Sequence, residues 1–129
     1  MNRSGREMVI VVDDDFQVRE ALGSLLLSAA FDVVMYSSAD DALKSPFLPE
    51  ASCLITDIRM PGMLGLELQR WIKHRHPELP AIIITGHGDE HTRQNALAGG
   101  AAAVLYKPID SDELFRALHY ATTRSRKDN

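Results

Sequence analysis

The sequence predicts an α/β domain, a doubly wound parallel sheet of five strands with helices on both faces. Three observations predict it. Five short runs rich in Val, Ile and Leu recur along the chain. Each is followed by a segment with helical apolar spacing or by a short, capped stretch. The runs are continuous rather than alternating, as strands buried on both faces require.

The first run, MVIVV (Met8–Val12), is β-branched and apolar. Val18, Leu22, Leu25, Leu26 and Ala29 then fall on one face of a helix. DVVMY (Asp32–Tyr36) is the second strand, and Ser38 or Asp40 caps a short helix that PFLP (46–49) breaks. SCLIT (52–56) leads into Asp57, with a Met-Pro-Gly break three residues later. Residues 64–76 fit a helix with Leu66, Leu68, Trp71 and Ile72 toward the sheet. AIIIT (Ala81–Thr85) is the fourth strand, and GHGDE is a loop with Asp89 as candidate cap. HTRQNALAG forms a short helix that stops at Gly99 and Gly100. AAVLY (102–106) is the last strand. The final helix, with Asp110 or Ser111 as its cap, carries Leu114, Leu118 and Ala121 on one side and ends near Arg124.

At 129 residues the chain has the size of one domain. Residues 1–7 read as a loose N-terminal segment, 8–124 as the domain, and 125–129 as a tail or the start of a linker. The single cysteine, Cys53, excludes an internal disulfide framework and reads as a small buried hydrophobe. A net charge of −4 gives no global attraction to nucleic acid, so none is expected to bind this domain itself. No apolar run approaches the ~20 residues of a membrane span, and MNRSGRE lacks the apolar middle of a signal peptide. A cytoplasmic location with no membrane contact is the expectation.

In open parallel sheets, sites lie beyond the carboxyl ends of the strands. Here the first strand ends in Asp13 and Asp14, the third in Asp57, the fourth in Thr85 and the fifth at Lys107. Three carboxylates, one hydroxyl and one ammonium converge on one rim with a formal charge of −2. Like charges held close repel, and a divalent cation cancels that excess. Hard oxygen donors plus water suit Mg²⁺. Asp15, the third acid in the row, reads as a helix cap.

Four stretches carry a family resemblance: VVDDD at 11–15, DIRMPGMLG at 57–65, IIITGHGD at 82–89 and LYKPID at 105–110. In this order and at these strand ends, the chain resembles the response-regulator receiver domain of two-component signalling. Its wording is most similar to receivers of nitrogen-fixation and aromatic-degradation regulators. The resemblance implies a flavodoxin-like sheet in the order 2-1-3-4-5. It makes Asp57 the phosphoacceptor, loaded by a sensor histidine kinase or a phosphotransfer protein. It places Mg²⁺ on Asp13, Asp14, Asp57 and the backbone carbonyl of Arg59, and sets Thr85 and Lys107 against the phosphoryl oxygens, with a cis Lys107–Pro108 bond. It also implies a switch in the face formed by the fourth helix, fifth strand and fifth helix, a face that can pair two copies of the chain. Catalysis is then limited to the protein's own phosphorylation and dephosphorylation.

The chemistry fits the residue types. Phosphoryl transfer spreads negative charge over the transferred oxygens, so catalysis is mostly positioning and charge stabilisation. Lys107 is a compact point charge, and the Thr85 hydroxyl can rotate to meet a new oxygen. Gly86 and Gly88 leave their loop free to move with it.

Some positions depart from the family pattern. The aromatic three residues before the lysine is replaced by Val104, and Tyr106 shares its face only if the strand is regular. Arg59 and His87 rim the site and are expected to tune the lifetime of the acyl phosphate. The pairs His74/His76 and His87/His91 lack a completing ligand and read as solvated histidines. Trp71 reads as helix packing.

Rival functions leave marks that can be checked. A Mg²⁺-dependent aspartyl-phosphate phosphatase or phosphotransferase of the haloacid-dehalogenase kind usually has a second acid two residues after its nucleophile. That position is Arg59, and a chain of this length leaves no room for a substrate cap. A flavin or nucleotide module needs a phosphate-cradling loop after the first strand, where DDDF repels phosphate. A pseudo-receiver would lack one of the charged positions, and none is missing.

Overall fold

The computed structural model describes residues 6–59, 65–86 and 90–127, with side chains of the last helix described as far as Thr123. The Met-Pro-Gly break, His87, Gly88 and the candidate cap Asp89 lie outside the described residues. Among the described residues, five strands alternate with five helices: β1 (Met8–Val12), α1 (Phe16–Ser28), β2 (Asp32–Tyr36), α2 (Ala39–Leu43), β3 (Cys53–Asp57), α3 (Gly65–Arg75), β4 (Ala81–Thr85), α4 (Glu90–Ala98), β5 (Ala103–Tyr106) and α5 (Ser111–Lys127). All strand pairs are parallel, in the order β2-β1-β3-β4-β5. The expected flavodoxin-like α/β sheet is the one observed.

The two-residue period of the strands sorts the core into two faces. Val9, Val11, Cys53, Ile55, Ile82, Ile84 and Leu105 pack against Leu22 and Leu26 of α1 and Leu114, Leu118 and Ala121 of α5. On the other face, Ile10, Val12 and Leu54 pack against Ala39 and Ala42 of α2 and Leu68 and Ile72 of α3. Ile58 and Ile83 meet Ala96 of α4, with Leu66 and Val104 beside them. Trp71 packs against the second cluster and lies 4.6 Å from the Arg75 guanidinium carbon.

Element ends differ from the sequence reading by one to three residues, each for a local reason. Asp57 pairs with Ile84 and so belongs to β3 rather than to the turn after it. Ala102 precedes β5, its N–H already donating to Ala81 O at 2.8 Å. The last helix runs to Lys127, past the end read from apolar spacing. Ser38 is the cap of α2, and Asp110 Oδ2 accepts from Glu113 N at 3.0 Å at the start of α5. Among the described residues, no helix is long and apolar enough to cross a membrane.

Candidate functional site

The row parity that sorts the core also builds the site. Val9 and Val11, Cys53 and Ile55, and Ala103 and Leu105 share one face. One more step of two residues reaches Asp13, Asp57 and Lys107. Three side chains from three regions of the sheet therefore arrive on the same side of the same rim. Lys107 Nζ lies 3.1 Å from Asp13 Oδ2 and 3.3 Å from Asp57 Oδ2.

Each buried aspartate is held by one oxygen and presents the other. Asp13 Oδ1 accepts from Asp15 N at 2.8 Å, and Asp57 Oδ1 accepts from Ile58 N at 2.8 Å. Both Oδ2 atoms face Lys107. Asp13 is fully buried and Asp57 nearly so, whereas Asp14 is exposed. Despite its closeness to Lys107, Asp13 Oδ2 has no hydrogen bond of good geometry among the described residues. The contact is an ion pair.

Burial pushes the Asp13 carboxyl above its ordinary value, and the Asp57 charge adds to this; the Asp15 N–H and Lys107 oppose it. For Lys107, burial works to lower the pKa, but Asp13 and then Asp57 outweigh it and the ammonium is held above its ordinary value. The lysine is thus a fixed positive charge set against a site with a surplus of carboxylates.

Asp13, Asp14 and Asp57 each offer an oxygen, all within 4.8 Å of one another. Three hard donors, one of them a buried oxygen without a hydrogen bond and one on the solvent side, fit a Mg²⁺ ion that keeps several waters. Among the described residues this is the only group of three or more His, Cys, Asp or Glu side chains so arranged. His74 is exposed and joins no such group, and the His87/His91 pair falls partly outside the described residues. Asp15 is the α1 cap, accepting from Gln17 N at 2.8 Å.

Thr85 is buried at the end of β4, and its carbonyl accepts from Lys107 N at 2.8 Å, which ties the two strand ends together. The Lys107–Pro108 bond is cis, as the family resemblance implied. β5 is regular, so Tyr106 does share the face of Val104, in register with Thr85. Arg59 is exposed beside the rim.

Residues 9–119 match the family model for the response regulator receiver domain. The chain belongs to the response-regulator receiver family. The receiver is 40% identical to Nodulation protein W of Bradyrhizobium diazoefficiens, over 96% of this chain and 55% of that protein. It is 38% identical to transcriptional regulatory protein FixJ of Azorhizobium caulinodans, over 91% of this chain and 56% of that one. A crystal structure of a response regulator receiver domain protein from Clostridium thermocellum superposes with a TM-score of 0.89 at 29% identity, covering 95% of this chain and 99% of that one. The receiver spans about half the length of these curated relatives.

Three residues that shape the site or the helices around it escape a reading of the sequence. Gly65 opens α3 against β3: a Cβ there would overlap Asp57 O and lie 2.7 Å from Ile58 Cα. Arg19 Nη1 donates to Asp13 O at 2.7 Å. Gln69 is buried on α3 and reaches α4. The glycine stands inside one of the family stretches, yet only the fold shows what it lies against. The other two bond backbone carbonyls, which leave no trace in residue spacing.

Proposed function

We propose that this receiver accepts a phosphoryl group on Asp57 Oδ2 from the phosphohistidine of a sensor histidine kinase or phosphotransfer protein. The O–P bond forms as the N–P bond breaks, and the electron pair returns to the donor imidazole. The observation that carries this is the placement of Asp57 Oδ2, nearly buried, 3.3 Å from Lys107 Nζ, in a group with Asp13 and Asp14.

Asp13, Asp14, Asp57 and the Arg59 carbonyl would hold Mg²⁺. Bound there, the ion supplies positive charge against the negative charge that grows on the phosphoryl oxygens. Ile58 N–H holds the spectator oxygen of Asp57, leaving Oδ2 to attack. Lys107 already lies within reach of that oxygen and neutralises the entering group. Thr85 donates its hydroxyl to a phosphoryl oxygen, drawing in the loop that begins at Gly86. The new charge, about −1.5 to −2, then shifts the face formed by α4, β5 and α5 toward a second population. Leu97, Tyr106 and Tyr120 are each exposed on those elements and offer apolar area for pairing two copies. Arg59 would control access of the water that hydrolyses the acyl phosphate. The domain acts in the cytoplasm on itself alone. Arg59 occupies the position where a phosphatase of the haloacid-dehalogenase kind needs its second acid.

The test is intact mass after incubation with acetyl phosphate and Mg²⁺. One phosphoryl adduct is expected on the wild type and none on Asp57→Ala. No adduct on the wild type, or one that survives the substitution, overturns the proposal.

A further inference from the structure

Arg19 carries a feature that the phosphoacceptor chemistry does not use. It sits one turn into α1, yet its guanidinium turns back and donates Nη1 to the carbonyl of Asp13 at 2.7 Å. The Phe16 ring centroid lies 5.7 Å from the guanidinium carbon. Asp13 is tied elsewhere too: its N–H donates to Tyr36 O at 3.1 Å, and its Oδ1 accepts from Asp15 N. The carbonyl bond from Arg19 completes this set. It fixes the plane of the peptide joining Asp13 to Asp14.

That peptide matters because it carries Asp14. The Asp14 side chain is exposed, and among the described residues no hydrogen bond fixes its carboxylate. With no such bond, the reach of the carboxylate into the group depends on where the backbone aims its Cα–Cβ bond, and the preceding peptide plane is held by Arg19. We infer that Arg19 is a positioning residue for the cation site, aiming Asp14 at the oxygens of Asp13 and Asp57 through the Asp13 carbonyl. This rests on the Mg²⁺ site proposed above.

Charge and positioning make opposite predictions. A guanidinium near a cation site repels the cation, so if charge alone acted, removing it would tighten binding. If positioning dominates, removing it weakens binding despite the relief of repulsion. Loss of a hydrogen bond that orients a metal ligand typically costs about 10- to 100-fold in affinity.

The experiment titrates Mg²⁺ alone into the unphosphorylated chain by calorimetry and measures the Mg²⁺-dependent rise in unfolding midpoint in parallel. Wild type, Asp14→Asn, Arg19→Met and Arg19→Lys are compared. Arg19→Met is expected to raise the Kd by about 10-fold. Arg19→Lys, which keeps the charge and one donor, should fall between Met and wild type. Unchanged or tighter binding in Arg19→Met overturns the inference while leaving the site intact. Should Arg19→Met not fold, Arg19→Lys decides alone: wild-type Kd overturns the inference, and a raised Kd supports it, because the charge is unchanged. Absence of wild-type binding, or wild-type affinity in Asp14→Asn, overturns the proposed site itself and this inference with it.

Discussion

Gln69 Nε2 donates to Ala96 O at 2.8 Å, a buried bond that joins α3 to the C-terminal turn of α4 across 27 residues of sequence. Four residues further along α3, the Lys73 side chain lies against Gly100, just past the end of α4. The end of α4 farther from the phosphoacceptor is thereby pinned to its neighbour. Replacing Gln69 with Leu removes this donor, but Ala96 O keeps its bond from Ala101 N, so the cost is that of one hydrogen bond, about 0.5–1.5 kcal/mol. Chemical denaturation should show that loss, with a smaller one for Lys73→Ala at its exposed position. A Gln69→Leu midpoint equal to wild type would mean that the amide contributes nothing net.

Helices α1 and α4 end in the same way with different residues. After α1, Phe31 N donates to Leu26 O at 3.0 Å and Ala30 N to Leu27 O at 3.1 Å. After α4, Ala101 N donates to Ala96 O and Gly100 N to Leu97 O, both at 3.0 Å. Both are Schellman caps, which need a left-handed residue. Gly100 supplies it at φ 99°, but α1 uses Ala30 at φ 69°. A Cβ in that region costs about 1–2 kcal/mol, part of which glycine returns through its looser unfolded chain. Ala30→Gly should therefore stabilise the domain by about 0.5–1 kcal/mol, read as a higher denaturant midpoint with an unchanged slope.

Gly65 meets a harder constraint. Its N–H donates to Ile58 O at 3.1 Å, and an added Cβ would run into the backbone of Asp57 and Ile58. Backbone cannot turn aside as a flexible side chain can. Gly65→Ala should destabilise the domain by about 1–3 kcal/mol, the range of overpacked cores. It should also slow phosphorylation from acetyl phosphate, because the strain falls on the phosphoacceptor's own peptide. Gly86 is the control: among the described residues a Cβ there meets nothing within 4 Å, so Gly86→Ala should fold normally.

These three sites show where the sequence was legible. The strands announced themselves because burial on both faces demands unbroken β-branched runs, and the strand-end rule then pointed to Asp13, Asp14, Asp57, Thr85 and Lys107. The structure brings Asp13, Asp57 and Lys107 into contact and Asp14 into the same group. The end of α1 gave no glycine signal, because alanine stands where the backbone favours glycine. Gln69 looked like an ordinary polar helix residue, since its partner is a main-chain oxygen on another helix. Arg19 was hidden for the same reason. Side chains that pair with backbone carry information only once the fold has placed that backbone.

Cys53 gives a pH dependence that can be worked through. It is fully buried in β3, and burial pushes its thiol from 9.0 up to about 12. The folded state therefore holds the proton more tightly than the unfolded chain does. The associated stability is complete below about pH 9 and drains away as pH rises toward 12. Within that window the slope approaches about 1.4 kcal/mol per pH unit. Cys53→Ala should be less stable than wild type at pH 7, having lost the buried sulfur, yet should lose less stability between about pH 9 and 11. The difference between the two curves isolates the thiol from the lysines and tyrosines that titrate in both proteins. The thiolate is the nucleophile in alkylation, so modification of native protein should require opening of the fold and be far slower than that of an exposed thiol. Parallel stability curves, or rapid alkylation of the folded chain, would contradict the buried neutral thiol.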